Sequence, residues 1–264
     1  MLIVAERINS SRKAINQAIK DKDADFIRSE AKTQAEAGAH YIDVNAGSFV
    51  EQEAEYLCWL VEVVQGATDL PLCIDSPNPE AIAAALEVIK EPAMLNSISL
   101  EERRMIGMMP LMKKYKTKII ALCQSDEGMA ATVSDKVKIA GQMVEVLTKE
   151  GIALSDIYID PLVYPIATDT QSALAAVGAI GKIMQLFPGV HTICGLTNVS
   201  FGLPVRKLLN KTFLVAAMSH GLDSAIIDPT DRELMASLVA AEALLNRDEF
   251  CRRYINAYRE GKVS

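Results

Sequence analysis

The sequence predicts an α/β protein with a single domain, a (β/α)8 TIM barrel that extends over residues 1–264. Short apolar runs alternate with helical patterns along the whole chain, as expected for buried parallel strands joined by helices. Eight units fit the length, because 264 residues divided among eight units give about 33 residues for each. Polar residues follow the apolar runs from the first to the last. This distribution favours a closed barrel over an open doubly wound sheet.

Each predicted strand is followed by a predicted helix. Strands are predicted near residues 2–5, 40–45, 71–75, 93–97, 117–122, 156–160, 191–197 and 224–227. Helices are predicted near residues 24–38, 52–66, 79–89, 101–114, 135–150, 171–186, 205–220 and 232–246, with an appended helix and a frayed end over 248–264. Local signals support the helix ends: Pro79, Ser134 and a capping box over 230–233 at starts, and Gly38, Gly66, Gly151 and Gly221 at stops.

Composition and charge exclude several classes of protein. A net charge of −7 disfavours binding to nucleic acid or to an anionic membrane surface. No apolar run approaches the ~18 residues of a membrane span, and the first residues lack the features of a signal peptide. The five cysteines form no Cys-x-x-Cys pair, and Cys73 and Cys194 lie in strand-like runs. Reduced thiols in a cytoplasmic protein are therefore predicted.

Four apolar runs end on a carboxylate or a carboxamide, namely Asp75, Asn96, Asp160 and Asn198. In a barrel the carboxyl ends of the strands meet at one mouth, so these side chains are predicted to converge. Carboxylates accept hydrogen bonds and amides both donate and accept, which suits a flat, nitrogen-rich heterocycle. For any one of these residues, helix capping or turn formation remains an equal alternative.

The first two strands end on further polar residues. These are Glu6, Arg7 and Asn9 after the first strand, and Asp43 and Asn45 after the second. Arg7 is predicted to pair with a carboxylate at the mouth, because an unpaired buried charge is destabilising by several kcal/mol. Asp228, at the end of the eighth strand, is predicted to begin the following helix.

Other catalytic chemistries find no support in the sequence. The three histidines are far apart and form no cluster with zinc spacing, so no metal site is predicted. A nucleophile elbow, a dinucleotide-binding glycine motif and a Walker-type loop are all missing from the sequence. The methionine-rich stretch 105–112 is predicted to pack on the barrel, with a docking surface for a partner as the alternative.

Six short motifs then carry a family resemblance. They are Glu-Arg-Ile-Asn at 6–9, Asp-Val-Asn at 43–45, Cys-Ile-Asp-Ser at 73–76, Leu-Asn-Ser at 95–97, Tyr-Ile-Asp-Pro at 158–161 and Gly-Leu-Thr-Asn-Val-Ser-Phe-Gly-Leu-Pro at 195–204. Because these motifs follow one another in this order, the chain resembles the pterin-binding methyltransferases that act with corrinoid proteins. The loop after the first strand reads Asn-Ser-Ser-Arg and departs from the glycine-containing form of the acetogen enzymes. This departure leaves the corrinoid partner open.

The resemblance implies an activity and a substrate. It implies methyl transfer between N5 of tetrahydrofolate or methyltetrahydrofolate and the cobalt of a corrinoid. Asp75, Asn96 and Asp160 are then expected on the pterin ring, and Asn198 beside N5. The Asn-Ser-Ser loop slightly favours transfer from a methylated corrinoid protein to tetrahydrofolate.

Additional binding residues and partners are expected around this site. Glu6 and Asn45 are further pterin-binding candidates. Arg206 is a candidate for orienting the loop of Asn198, with surface solvation as the alternative. The chain lacks the Asp-x-His-x-x-Gly motif of base-off cobalamin binding, so the corrinoid is expected on a separate partner protein docked over the mouth. The resemblance also implies a homodimer, whose contact should use outer helices.

Two alternative functions remain at this point. Dihydropteroate synthase shares the pterin-binding barrel, but that family places basic residues at the last strands. Here the eighth strand reads Ala-Ile-Ile-Asp228-Pro. A non-catalytic folate-binding subunit is the other alternative, and an assay of methyl transfer to or from cobalamin distinguishes it from an enzyme.

Overall fold

The computed structural model describes residues 1–263, and its centre is a ring of eight parallel strands. The strands are β1 (Leu2–Asn9), β2 (Tyr41–Asn45), β3 (Leu72–Asp75), β4 (Met94–Leu100), β5 (Lys118–Ser125), β7 (Ile157–Asp160), β8 (His191–Thr192) and β9 (Ser224–Ile227). The short strand β6 (Gly128–Met129) forms a hairpin with the end of β5. Gly195 bridges to Ile226 beyond β8, and the Ile226 amide donates to the Cys194 carbonyl at 3.0 Å. These contacts close the barrel, which confirms the predicted (β/α)8 fold.

Helices surround the barrel and follow the predicted alternation. They are α1 (Lys13–Lys20), α2 (Ala24–Glu36), α3 (Glu53–Gln65), α4 (Pro79–Val88), α5 (Glu102–Tyr115), α6 (Val133–Lys149), α7 (Ser172–Leu186), α8 (Arg206–Ser219), α9 (Arg232–Leu244) and α10 (Arg252–Arg259). Three short 3-10 helices cover Leu154–Asp156, Leu196–Ser200 and Glu249–Cys251. Among residues 1–263, no helix has both the length and the apolar character needed to cross a membrane.

The strands bury apolar side chains on both of their faces. The barrel interior is filled by a compact cluster, which consists of Val4, Cys73, Met94, Ile120, Tyr158 and Ile193. A larger core lies between the strands and the helices, and Ile42 and Val44 of β2 belong to it. Because side chains alternate along a strand, Asp43 between them faces the other way. The same alternation that points apolar side chains into the barrel interior therefore also points polar groups such as Asp43 into it.

Two elements were absent from the predicted pattern, and one strand was predicted too long. Helix α1 and the short strand β6 both lie in segments predicted as loops. The predicted strand 191–197 is only two residues long, because the chain turns into a 3-10 helix from Leu196. The frayed end predicted after the last helix includes residue 264, which lies outside the described residues.

Helix starts differ in detail from the predicted caps. Pro79 occupies the first turn of α4 as predicted. Helix α6 begins earlier than predicted, because Thr132, rather than Ser134, forms a capping box with Asp135. The predicted capping box over 230–233 is wrong, since Asp231 alone caps α9 through the Leu234 amide.

The predictions for sulfur-containing residues are confirmed. All five cysteines are free thiols, and Cys73, Cys123 and Cys194 are buried. On α5, Met108 and Met112 are fully buried in the core around the barrel. The methionine-rich stretch thus packs on the barrel as predicted.

Candidate active site at the barrel mouth

The polar strand ends lie next to one another in the barrel. Asn45 is paired in register with Asp75, and Asp75 with Asn96, on the consecutive strands β2, β3 and β4. Asp160 ends β7 and is in register with Leu122 of β5. Asn198 follows β8 in the 3-10 helix Leu196–Ser200. The carboxyl ends of parallel strands share one edge, so the barrel mouth brings these predicted residues together.

Asp75 is oriented by its neighbour on β2. The Asn45 amide donates to Oδ2 of Asp75 at 3.0 Å and to the Asp75 carbonyl at 3.2 Å. The Asn45 oxygen accepts from Oγ of Ser10 and from the Gly47 amide, each at 3.0 Å. Because both ends of the Asn45 amide are used, its role in this geometry is to hold the Asp75 carboxylate.

Asp160 is the most enclosed carboxyl group among the predicted pterin contacts. It is 6% exposed, and its Oδ1 accepts a 2.7 Å hydrogen bond from the Leu162 amide. Burial raises the pKa of Asp160 to about 6, although the Leu162 and Gly195 amides and the Lys136 ammonium group act to lower it. The group is therefore mainly ionised at neutral pH and available as a hydrogen-bond acceptor.

Three further carboxyl groups at the mouth resist ionisation. Burial raises the pKa of Glu6 to about 7, although Arg12 and Arg206 oppose the shift. Burial also raises the pKa of Asp75, and it raises the pKa of Asp43 well above its ordinary value, with the nearby Asp75 charge adding to the second shift. Asp43 is 2% exposed, and its Oδ1 has no hydrogen-bond partner among residues 1–263. These three carboxyl groups therefore keep their protons to a higher pH than ordinary Asp and Glu side chains do.

Arg7 is paired with a carboxylate at the mouth, which confirms the prediction. Its guanidinium group forms a bidentate pair with Glu30 at 2.8 and 3.1 Å and reaches Oδ2 of Asp228 at 3.1 Å. These contacts raise the pKa of Arg7, and Glu30 is the largest cause. The other Asp228 oxygen accepts from the Thr230 amide at 3.0 Å, one turn before α9. Asp228 was predicted to begin the following helix, but Asp231 caps α9, and Asp228 instead holds the turn before the helix and forms an ion pair with Arg7.

Asn198 and Arg206 occupy the exposed side of the mouth. The Asn198 amide nitrogen lies 3.1 Å from the position that a Cβ at Gly195 would occupy. Arg206 donates to the Thr197 carbonyl at 2.8 Å and to Oγ of Ser200 at 3.1 Å. These two bonds attach Arg206 to the loop that carries Asn198, so its side chain does more than contact solvent.

Two cations near the site were not predicted from the sequence. Arg104 of α5 donates to the carbonyls of Ser76 and Pro77, which follow β3, and of Ser97, which lies within β4. Lys136 of α6 donates to three carbonyls beside Asp160. A basic residue in the first turns of an amphipathic helix is normally solvated, so the sequence contains no signal for either contact.

The geometry suits recognition of a flat ring with several N–H donors. Enclosed acceptors on β3, β4 and β7 line the mouth, and the exposed amide of Asn198 follows β8. Within residues 1–263, no group of three or more His, Cys, Asp or Glu side chains is arranged to hold a metal ion. The site therefore offers hydrogen bonding and charge as its means of binding.

Comparison with known proteins decides the family. Residues 5–228 match the profile of the family described as "Pterin binding enzyme". The chain belongs to this family. The matched residues extend from within β1 to just past β9 and include every predicted site residue.

Individual relatives add detail to the family assignment. The chain is 41% identical over 265 aligned residues to a methylcorrinoid:tetrahydrofolate methyltransferase of Eubacterium limosum, covering 100% of this chain and 98% of that protein. It is 30% identical to methionine synthase of Mycobacterium leprae, over 86% of this chain and 20% of that longer protein.

Solved structures with the same fold are dihydropteroate synthases. That of Xanthomonas albilineans with 4-aminobenzoic acid superposes with a TM-score of 0.71 at 17% identity, covering 94% of this chain and 92% of the other. The Vibrio fischeri ES114 enzyme gives a TM-score of 0.71 at 11% identity, covering 93% of each chain. At these identities the likeness shows the barrel fold only.

Proposed function

We propose that this pterin-binding enzyme transfers a methyl group between a corrinoid held by a separate protein and N5 of tetrahydrofolate. The observation that carries the proposal is the row of polar strand ends Asn45, Asp75 and Asn96, which are paired in register on β2, β3 and β4, together with Asp160 at the end of β7. The full-length similarity to a methylcorrinoid:tetrahydrofolate methyltransferase supports this choice among pterin chemistries.

Pterin recognition is assigned to the enclosed acceptors. A carboxylate such as that of Asp160 can accept two parallel N–H bonds from the amino-pyrimidinone edge of a pterin, in the manner of a carboxylate–guanidinium pair. Asp75, held by Asn45, and Asn96 would bond the remaining ring nitrogens, with Glu6 at the adjoining edge. A buried acceptor left without its donor is costly, so such a site rejects analogues that lack the N–H groups.

The chemical step requires a change of charge at N5. When bound, the corrinoid supplies the methyl group and keeps the electron pair of the bond that breaks. N5 of tetrahydrofolate forms the new N–C bond and releases its proton. In this proposal Asn198 orients N5 through a hydrogen bond and stabilises the developing charge. An amide is neither a strong acid nor a strong base, so the proton passes to water.

Exposed apolar side chains on the loops of the mouth support a contact with a partner protein. Loops at the carboxyl ends of the strands carry large apolar side chains that are mostly exposed, namely Val50, Met129, Phe201 and Val205. Exposed apolar side chains around a polar site are typical of protein contacts. We infer that a corrinoid protein docks on these loops. Tetrahydrofolate and the corrinoid are thus both brought to the site rather than held permanently by this chain.

Assembly and location are inferred in the same way. A homodimer should use outer helices, where Leu174 and Leu186 of α7 and Leu244 at the end of α9 are more than half exposed. Such a contact leaves both mouths free. Light scattering at micromolar concentration should give twice the 28.7 kDa chain mass. We place the protein in the cytoplasm because all five thiols are free.

Dihydropteroate synthesis is the weaker candidate. The strand that should present basic residues ends instead on Asp228, whose carboxylate is engaged by Arg7 and Thr230. The two functions are separated by supplying either methylcobalamin with tetrahydrofolate or a pterin pyrophosphate with p-aminobenzoate. We expect product only from the first pair. A non-catalytic folate-binding subunit would give product from neither.

A further inference from the structure

Lys136 of α6 is a buried lysine with a complete set of hydrogen bonds. Its side chain is fully buried, and Nζ donates to the carbonyls of Ala130 at 2.8 Å, Pro161 at 2.7 Å and Leu162 at 2.9 Å. Three carbonyl acceptors require three N–H donors, which only the ammonium form possesses. The geometry therefore places a positive charge inside the protein.

The bonds of Lys136 hold the turn that follows β7. Pro161 and Leu162 come directly after Asp160, and Leu162 adopts the left-handed region with φ of 58°. This conformation is uncommon for a branched side chain and needs support from its surroundings. In it, the Leu162 amide points back to Oδ1 of Asp160 at 2.7 Å. Lys136 thus fixes the backbone that orients the Asp160 carboxylate.

Among the carboxylates near Lys136, Asp160 interacts with its charge most strongly, ahead of Asp169 and Asp135. The groups around the Asp160–Lys136 pair are Cys123 of β5, Asp135 of α6, Tyr164 and Asp169 after β7, and Cys194 after β8. Burial raises the pKa of the Cys123 thiol to about 12, of the Tyr164 phenol to about 12, and of the Cys194 thiol well above its ordinary value. These three groups stay neutral between pH 5 and 9. Asp135 is exposed and belongs to the α6 cap.

We propose that Lys136 is a positioning residue for pterin binding. It orients the Asp160 carboxylate through the turn at 161–162, and its charge keeps that carboxylate ionised in the enclosed site. The inference rests on the proposed function, in which Asp160 accepts the pterin donors. Lys136 itself lies behind Asp160 and does not touch the pterin. Burial raises the pKa of Asp160 and the Lys136 charge opposes that shift, so removal of the charge should favour the neutral carboxyl group.

The test is the pH dependence of tetrahydrofolate binding, measured by calorimetry under anaerobic conditions from pH 5.5 to 8.5. The variants are Lys136→Met and Asp160→Asn, with Lys138→Met, an exposed lysine two residues along the same helix, as the matched control. Wild type and Lys138→Met should bind more tightly as pH rises through about 6. In Lys136→Met this midpoint should move up by on the order of one pH unit, so that binding weakens about threefold at pH 6.5 and about eightfold at pH 5.5, and recovers toward pH 8.5. Asp160→Asn should lose the part of this dependence that Lys136→Met moves, and keep only the part that belongs to Glu6 and Asp75, whose pKa values burial also raises.

Two outcomes would overturn the inference. One is a Lys136→Met protein that binds with an unshifted midpoint, and the other is a loss of affinity that is equal at every pH, as expected for a merely structural residue. If Lys136→Met does not fold, the double variant Lys136→Met/Asp160→Asn supplies the second test. It should recover a cooperative melting transition, because the uncompensated carboxylate is gone. A double variant that also fails to fold would contradict the pairing.

A ligand-free measurement separates this inference from the proposed function. The Asp160 carboxyl group can be titrated by NMR in protein with ¹³C-labelled aspartate, its resonance being assigned from the Asp160→Asn spectrum. An upward shift of its midpoint in Lys136→Met supports the link between Lys136 and Asp160 even if tetrahydrofolate fails to bind wild type. In that case the proposed function alone would be wrong. An unchanged midpoint would overturn the role of Lys136 whether or not the pterin binds.

Discussion

Asn198 lies directly against Gly195: its amide nitrogen is 3.1 Å from the point where a Cβ at residue 195 would stand. The Gly195 amide also supports Asp160, and residue 195 bridges to Ile226 at the closure of the barrel. One glycine therefore connects the proposed catalytic amide to the proposed pterin carboxylate. The lack of a side chain at this position lets the two approach.

Gly195→Ala should slow turnover with little effect on pterin affinity. The added methyl group would push the Asn198 amide away by a few tenths of an ångström, and small misplacements of a reacting group have large effects on rate. We expect kcat to fall by about tenfold, measured as methyl transfer at saturating tetrahydrofolate. Gly66→Ala, at the end of α3 with its nearest atom at 3.4 Å, is the control and should be unaffected. An unchanged kcat in Gly195→Ala would argue against the placement of Asn198.

Asn198→Ala should separate catalysis from binding. If the amide acts mainly as charge develops on N5, its loss lowers kcat much more than it weakens binding. Oriented donors of this kind are worth about 3–4 kcal/mol in the transition state, or roughly a 10²–10³-fold loss of rate. Single-turnover kinetics and calorimetry give the two quantities. Equal losses in both would make Asn198 an ordinary binding residue.

Asp160→Ala should weaken binding of tetrahydrofolate and methyltetrahydrofolate. The change leaves buried pterin donors unpaired, at roughly 1–3 kcal/mol or about 10–100-fold in Kd. Asp156→Ala, just before the opposite end of β7, is the matched control and should bind normally. Removal of the glutamate tail of the folate should matter much less, because that tail should lie in solvent. Unchanged affinity in Asp160→Ala would contradict the assignment.

The stability of the ligand-free protein should also report on Asp160. Its pKa of about 6 in the folded protein exceeds the ordinary value of 3.8, so folding favours the neutral form. Ionisation therefore destabilises the fold as pH rises from 3.8 to about 6, and the effect is constant above that range. Asp160→Asn resembles the neutral form. The free energy of unfolding of Asp160→Asn, measured by denaturant unfolding, should be close to that of wild type at pH 4. At pH 8 it should exceed the wild-type value by on the order of 3 kcal/mol. A gain that does not change with pH would show that Asp160 titrates normally.

The sequence predicted the barrel because its strands follow a simple rule. Parallel strands buried on both faces read as short apolar runs, and the polar residue that ends each run marks the mouth. Asp75, Asn96 and Asp160 were found by this rule, and Arg7 by the requirement that a buried charge be paired. These inferences need only local sequence and general physical chemistry.

Features that depend on distant contacts could not be predicted in this way. Lys136 looks like a solvated helix residue until the carbonyls of 130, 161 and 162 surround it. The seventh predicted strand, 191–197, was too long because its apolar run continues past the end of β8 at Thr192. The chain bridges to Ile226 at Gly195 and then turns into a 3-10 helix, and the sequence alone does not show that bridge. Asn45 was predicted to bind pterin. Its bonds to Ser10, Gly47 and Asp75 support an orienting role that its position at a strand end did not reveal.

The central claim is that this enzyme moves a methyl group between a corrinoid and N5 of tetrahydrofolate at the mouth of the barrel. The most direct test mixes the purified protein anaerobically with methylcobalamin and tetrahydrofolate and measures methyltetrahydrofolate formed with time. The proposal predicts formation of methyltetrahydrofolate at a rate proportional to enzyme, equal to the loss of methylcobalamin and strongly reduced by Asn198→Ala. A protein that binds tetrahydrofolate yet transfers no methyl group in either direction, with free or protein-bound corrinoid, would contradict it.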